Sequence, residues 1–222
     1  MKNELKDKFK DSLPGLLGNL RGSMADYVFI TQHGETVIRT KPRPLNPMDT
    51  KSFAQSTHRE GFKLMVNAYK SIKEIVDFAF PNRRIGLSSY NAFMTTNFPT
   101  AIDNSGDAPI VDYSKLMVSK GKLPKVTVKS AQLDDSGIKI MYKSLLTLPI
   151  ISASDQIVAF VKLKTGELIL AKQARGYEES AAIFIPLQGI SSEEVECCYL
   201  FVINRDGRSA SESTYVEIRN EK

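Results

Sequence analysis

The stretch EVECCYLFVIN, residues 194–204, decides how the second half of the chain folds. It is a run of core length, rich in aromatic and β-branched residues, that closes on the turn signal Arg205-Asp206-Gly207, and such a run reads as a β-strand. From Leu123 onward the same period of two recurs. Strands are expected over residues 125–131, 137–145, 156–163, 167–173, 181–187, 194–204 and 213–218, with further turns at Asp134-Asp135-Ser136-Gly137 and Lys164-Thr165-Gly166. Short strands punctuated this regularly predict an immunoglobulin-like or fibronectin-III-like sandwich. The Trp and paired cysteines of antibody domains are absent, so the expectation concerns architecture alone.

Upstream of Leu123 the period lengthens. Phe53, Ala54, Phe62, Met65, Val66, Tyr69, Ile72, Ile75, Val76 and Ala79 recur at three and four, which predicts one long helix capped by Asp49 or Thr50 and ended by Phe80-Pro81. Gly61 interrupts it and marks either close packing or a kink. A second helix is expected over residues 89–97, capped by Ser88 or Ser89, with Tyr90, Phe93 and Met94 on one face. Residues 111–121 read as an extended lead into the sandwich.

Before the long helix, residues 27–40 read as a hairpin turning at His33-Gly34, with Val28 and Ile30 against Val37. Residues 41–47 cannot be a central strand, because Pro42, Pro44 and Pro47 lack a ladder donor, so an extended arm results. At the start, Leu5, Phe9 and Leu13 form an apolar docking stripe on a short charged helix that Pro14-Gly15 stops, and glycines at 15, 18 and 22 make a connector. The fold class is therefore α+β, in three parts: residues 1–22 as helix and connector, 23–122 as hairpin, proline-rich arm and helical domain, and 123–222 as sandwich.

The chain of 222 residues has 42% hydrophobic and 25% charged residues, which is globular composition. No apolar run approaches the roughly 20 residues of a spanning helix, so no membrane partner is expected. Charges interrupt residues 1–20 where a secretory signal needs an apolar core. Cys197 and Cys198 are neighbours on opposite strand faces, poorly placed to bridge each other, and an intracellular setting follows. Residues 1–123 hold 18 Lys and Arg against 12 Asp and Glu, a net +6, and the remainder nets −1. That basic half gives weak contact with nucleic acid as one partner reading.

Chemistry is sparse. His33 and His58 are the only histidines, and neither has neighbours at metal-ligand spacing. No phosphate loop, nucleophile elbow or HExxH occurs. The acid pairs Asp134-Asp135, Glu178-Glu179 and Glu193-Glu194 fall in expected turns, where solvated acids are the ordinary case. No catalytic residue, cofactor or metal is expected. The interaction surface expected instead is the arm with the helix start: Arg39, Lys41, Pro42, Arg43, Pro44, Asn46, Pro47, Thr50, Gln55, Arg59 and Phe62. Arg83-Arg84 would extend it. For ligand capture by sandwich loops, Tyr177 and Tyr142 are the aromatic candidates.

The order GNLRGS, KPRPLNPMDTKSFAQSTHREGF, NAFMTTNF, VDYSKLMVSKGKLP and CYLFVINRDGRSASESTYVEI resembles a family of proteins of unknown function from Bacteroidota and phage-like elements. Its arm pattern falls on Lys41, Pro42, Pro44, Asn46, Pro47, Thr50, Gln55, Arg59 and Phe62. Its later signature falls on Asp112, Tyr113, Ser114, Lys115, Val118, Ser119, Gly121 and Leu123. The resemblance implies an α/β N-terminal part followed by an immunoglobulin-like domain, and carries no activity. With the absence of catalytic groups, it leads to the expectation of a homo-oligomeric structural subunit that meets other subunits in a phage or phage-like particle, as neck, tail or capsid-associated ring. Such a subunit is assembled in the host cytoplasm. The alternative is a cell-associated module holding a glycan or protein through its sandwich loops.

Overall fold

The computed structural model describes residues 21–32, 35–42, 52–84, 86–134, 136–144, 151–187 and 189–220. By packing, the chain divides into two units, Met1–Lys51 and Ser52–Lys222. The expected boundary at 122/123 therefore runs through the inside of one unit.

In the first unit, β1 (Gly22–Met24), β2 (Tyr27–Gln32) and β3 (Glu35–Thr40) form an antiparallel sheet in that order. The hairpin read from the sequence is β2 and β3, and its His33-Gly34 turn lies outside the described residues. β1 falls where a connector was expected at its start. It pairs Met24 with Tyr27 across the two-residue turn Ala25-Asp26, and Lys41 donates its backbone N–H to the Asp26 carbonyl at 2.7 Å.

The second unit starts with α1 (Phe53–Ser71). Its cap is Ser52, a correction to Asp49 or Thr50, which lie outside the described residues. Ser52 and Gln55 form a capping box: the Ser52 hydroxyl accepts from the Gln55 N–H and the Gln55 side chain accepts from the Ser52 N–H, each at 3.3 Å. The long helix is also interrupted, at Ile72 rather than Gly61. Ile72 leaves helical geometry at φ −122° and ψ 17°, and α2 (Lys73–Ala79) follows. Gly61 instead permits close approach, since a Cβ there would stand 3.3 Å from the Ile102 side chain. α3 (Ser89–Asn97) has the expected bounds, with Ser88 accepting from the Asn91 N–H.

After the short pair β4 (Ile102–Asp103) and β5 (Ile110–Val111) come β6 (Thr127–Asp134), β7 (Gly137–Lys143), β8 (Gln156–Leu163), β9 (Leu168–Ala174), β10 (Ser180–Pro186), β11 (Val195–Ile203), β12 (Thr214–Tyr215) and β13 (Arg219–Asn220). They build two four-stranded sheets, ordered β10-β7-β6-β13 and β12-β11-β8-β9. Only the β6–β13 pairing in them is parallel. The expected strands recur within a few residues, except that 213–218 holds only the two-residue β12, and β13 starts just beyond it in the other sheet.

The two central strands set the layering. Ile157, Ala159, Val161 and Leu163 of β8, with Cys198, Leu200 and Val202 of β11, face the other sheet and share its core with Ile138, Ile140, Tyr142, Ile183 and Ile185. Val158 and Phe160, with Cys197, Tyr199, Phe201 and Ile203, face the other way and meet Met65, Ile72, Val76, Phe80 and Phe93 of the helical segment. Strands covered on both sides lose the alternation of a half-exposed strand and become continuous apolar runs. QIVAFVKL and VECCYLFVI are such runs. The helices are thus the third layer of one body.

One body predicts one transition. Loss of helical ellipticity and loss of tyrosine near-ultraviolet signal should coincide in a denaturant titration. Phe160→Ala should lower stability by about 3–5 kcal/mol in both signals together. Separate midpoints would restore the 122/123 boundary.

Candidate functional site

Residues 112–123, which overlap the lead expected over 111–121, are a strap that joins the helical layer to the sandwich. Asn97, fully buried on α3, accepts from the Met117 N–H at 2.7 Å and donates to the Met117 carbonyl at 2.8 Å. The Val118 N–H donates to the Ser213 hydroxyl. Ser119, also fully buried, donates to the carbonyls of Ala79 at 3.1 Å and Ser211 at 2.7 Å. Leu116 and Val118 enter the helix-facing core. At Gly121 a Cβ would stand 2.1 Å from the Ala210 carbonyl oxygen, so only glycine fits. The signature residues Val118, Ser119 and Gly121 are thereby given inward, structural tasks, whereas Ser114 is exposed.

Tyr113 carries the strap's charged anchor. Its hydroxyl donates to Glu196 Oε1 at 2.6 Å, its carbonyl accepts from the Tyr199 hydroxyl at 2.6 Å, and Lys162 Nζ pairs with Glu196 Oε2 while lying 5.6 Å from the Tyr113 ring centre. The Lys162 side chain is 8% exposed and that of Glu196 26%. Removing one partner of a pair this buried leaves a charge without compensation. Burial first, and then the Glu196 carboxylate, pushes the Tyr113 hydroxyl above its ordinary range. At the strap's start, Lys115 at 2.8 Å and Ser114 hold Asp112 down at about 2.

Neither cysteine is activated as a nucleophile. Burial pushes the Cys197 thiol up to about 12 and raises Cys198 as well, so both are protonated at neutral pH, whereas reactive cysteines are thiolates. Among the described residues no group of three His, Cys, Asp or Glu could hold a metal ion. Asp134 spends its carboxylate on its own turn, accepting from the Ser136 N–H and hydroxyl and the Gly137 N–H, and these bonds lower its pKa. Glu194 closes a capping box with Ser191, and Glu179 pairs with Lys143 at 2.5 Å.

Of the expected interaction residues, the described ones fall in both units, Arg39, Lys41 and Pro42 in the first and Gln55, Arg59 and Phe62 in the second. Arg39, next to last in β3, is exposed, as are Lys41 and Pro42, and Arg59 is exposed on α1. Gln55 belongs to the capping box. Phe62 packs edge-on against Phe98, as does His58, with ring centres 5.5 and 4.9 Å away. Arg43, Pro44, Asn46, Pro47 and Thr50 of the arm, and Leu5, Phe9 and Leu13 of the N-terminal stripe, lie outside the described residues. Arg83 donates to the carbonyls of Phe80 and Leu87, closing the end of α2, and both Arg83 and Arg84 are exposed. Tyr142 is fully buried in the sandwich, which removes it as a ligand contact. Tyr177 is 87% exposed between β9 and β10. An open groove of about 420 Å³ runs along the start of β6, lined by Lys125, Val126, Lys129, Tyr215 and Glu217 among others, and none of the expected residues borders it.

What the sequence reading missed lies in the first unit. Register places Met24, Tyr27, Phe29 and Ile38 on one face of the sheet and Val28, Ile30 and Val37 on the other. None of its described residues is buried, and Met24, Tyr27 and Ile38 are 69%, 50% and 40% exposed. The signal was present in YVFI, four apolar residues in both phases of the strand.

The described part is thus a helix-backed β-sandwich with an apolar sheet ahead of it. The chain belongs to the family of unknown function DUF6266, whose model matches residues 20–217. No curated protein and no solved structure gives a match. No helix among the described residues is long and apolar enough to cross a membrane.

Two measurements test the anchor. Glu196→Gln should cost about 3 kcal/mol, with most of it recovered when Lys162→Met is added; an undisturbed single variant would show the pair to be idle. The second follows from pKa values raised on folding at Cys197, Cys198, Tyr113, Tyr142 and Tyr199. Their stabilisation is complete below the unfolded values, about 8.5 for Cys and about 10 for Tyr, and is lost as pH rises beyond them. Stability should be level from neutrality to about pH 8.5 and then fall, with these tyrosines ionising only as the chain unfolds; their ionisation in the folded protein near pH 10 would contradict the burial.

Proposed function

We propose that this chain is a non-enzymatic assembly subunit that oligomerises through its N-terminal segment. The observation that carries the reading is the sheet β1-β2-β3, which has apolar side chains on both faces and no buried residue among those described. A contiguous exposed apolar surface marks an interaction site, and a three-stranded sheet needs such a face covered to be stable. The inward tasks of the strap residues and the protonated cysteines support a structural role over a catalytic one. The neck, tail or capsid-associated ring of a phage-like particle is the setting proposed from the resemblance, with other structural subunits as neighbours and weak nucleic-acid contact through the basic N-terminal half. An immunoglobulin-like identity for the sandwich is proposed on its strand order, in which β7 pairs with β6 and β10 while β8 pairs with β9 and β11.

A second reading has one observation in its favour. Tyr177 projects beside Arg175, which is buried, donates its Nε–H to the Ser144 hydroxyl at 2.6 Å and lies 3.9 Å from Asp155. An exposed aromatic on an anchored loop suits a glycan or protein ligand. A glycan-array signal that Tyr177→Ala abolishes would favour it.

Light scattering on the full chain over a range of concentrations tests the assembly reading. Mass should rise above that of one chain and return to it when Tyr27 and Ile38 are both changed to Thr. A monomer at every concentration would refute the reading.

A further inference from the structure

We infer that one end of the body is a docking surface for the phosphate backbone of double-stranded nucleic acid, built by Arg83, Arg84, Lys120, Lys122, Arg205 and Arg208. It rests on the nucleic-acid contact proposed above and gives that contact a site, to which the C-terminal half of the chain supplies two arginines.

Three segments far apart in sequence meet there. Asn82 follows α2, and its side chain donates to the Arg208 carbonyl and accepts from the Ser209 hydroxyl, each at 3.2 Å. Asn204 closes the turn after β11: its N–H donates to the Ser209 carbonyl at 2.9 Å, and its side chain accepts from the Ser209 N–H at 2.8 Å. The third segment is the end of the strap, where Lys120 donates its backbone N–H to the Ala79 carbonyl and Leu123 donates its own to Ala210. Between them Gly121 leaves no room for a Cβ, which would stand 2.1 Å from the Ala210 carbonyl oxygen and 2.8 Å from Asn82 Oδ1. The backbone fixes the three segments against one another, so the six cations they carry share one end of the body.

The charge there decides what fits. All six residues are exposed, and among the described residues none of them pairs with a carboxylate. Asp206 is the single acid in residues 81–84, 119–123 and 204–211, so these segments net +5, which is the net charge of the whole chain, and everything else sums to zero. Like charges gathered this closely repel and weaken the folded state until a counter-charge arrives. The surface is also polar, since none of the exposed large apolar residues lies in the three segments. A protein partner is met by an apolar centre and a single strand by an aromatic platform, whereas a duplex backbone is met by a polar, strongly positive surface. Four of the six cations are arginines, whose planar fork matches a phosphate. Phosphate contacts carry no sequence information, so binding without sequence preference follows.

Fluorescence anisotropy of a labelled DNA duplex of about 20 base pairs, titrated with the full chain, tests the site. Six phosphate contacts predict an affinity that falls about a thousandfold between about 50 and about 200 mM salt. Lys122→Ala with Arg205→Ala and Arg208→Ala should roughly halve the slope of log affinity against log salt. Lys63→Ala with Lys70→Ala and Lys73→Ala removes the same charge from exposed positions of α1 and α2, and should leave the slope unchanged. An equal loss in both variants overturns the inference and leaves a diffuse contact through the N-terminal half standing. No binding by the unaltered chain at the lower salt overturns both. Displacement of the labelled duplex by poly-glutamate as readily as by unlabelled duplex would assign the surface to an acidic protein and also overturn the inference.

Discussion

Everything in residues 52–222 depends on β8 and β11 being buried from both sides. Two adjacent strands whose odd and even residues are equally apolar cannot lie at the surface of a sandwich without exposing Val158, Phe160, Tyr199 and Phe201. The second sheet covers one side, and α1, α2 and α3 cover the other. The strap at 112–123 follows from the same constraint. It must pass between the layers, and a backbone in that position needs partners for its polar groups, which Asn97, Ser119, Ser211 and Ser213 supply.

That constraint explains why so few polar side chains are left for chemistry. Lys162 and Glu196 pair beneath Tyr113, Asp112 and Lys115 pair at the strap's start, and Asp134 and Glu194 close turns. The described acids and bases of the body largely hold segments in place. The first unit is different in kind. Its sheet has apolar side chains in both phases and no buried residue among those described. The proposed division of labour is a self-contained body behind an element that other copies complete.

Much of the body was legible. The period-two pattern from Leu123 and its Gly-bearing turns place six of the strands within a few residues, and Ser88 with Phe93 and Met94 places α3. Three things were not. The cap at Ser52 lost to Asp49 and Thr50 because all are good caps and only Gln55, three residues on, distinguishes Ser52. The break at Ile72 leaves no local mark, since isoleucine is an ordinary helix residue. The layering has no local mark: QIVAFVKL and VECCYLFVI read as strands, and only their lack of alternation implies a cover on both sides. In the first unit the hairpin is legible, whereas the second apolar phase of YVFI, Tyr27 and Phe29 beside Val28 and Ile30, is not marked by alternation. On the site, the described residues of the expected arm are a capping residue, an aromatic contact and exposed cations, and Arg43, Pro44, Asn46, Pro47 and Thr50 lie outside the described residues.

Hydrogen exchange followed at several protein concentrations tests the account most directly. Amides of β8 and β11 should exchange at the slow rate of global unfolding at every concentration, because their protection is internal to one chain. Amides of β2 should be slow only where the chain is assembled and should become fast on dilution. Protection of β2 that is equally strong in a dilute monomer would contradict the account, since the sheet would then need no second copy to complete it.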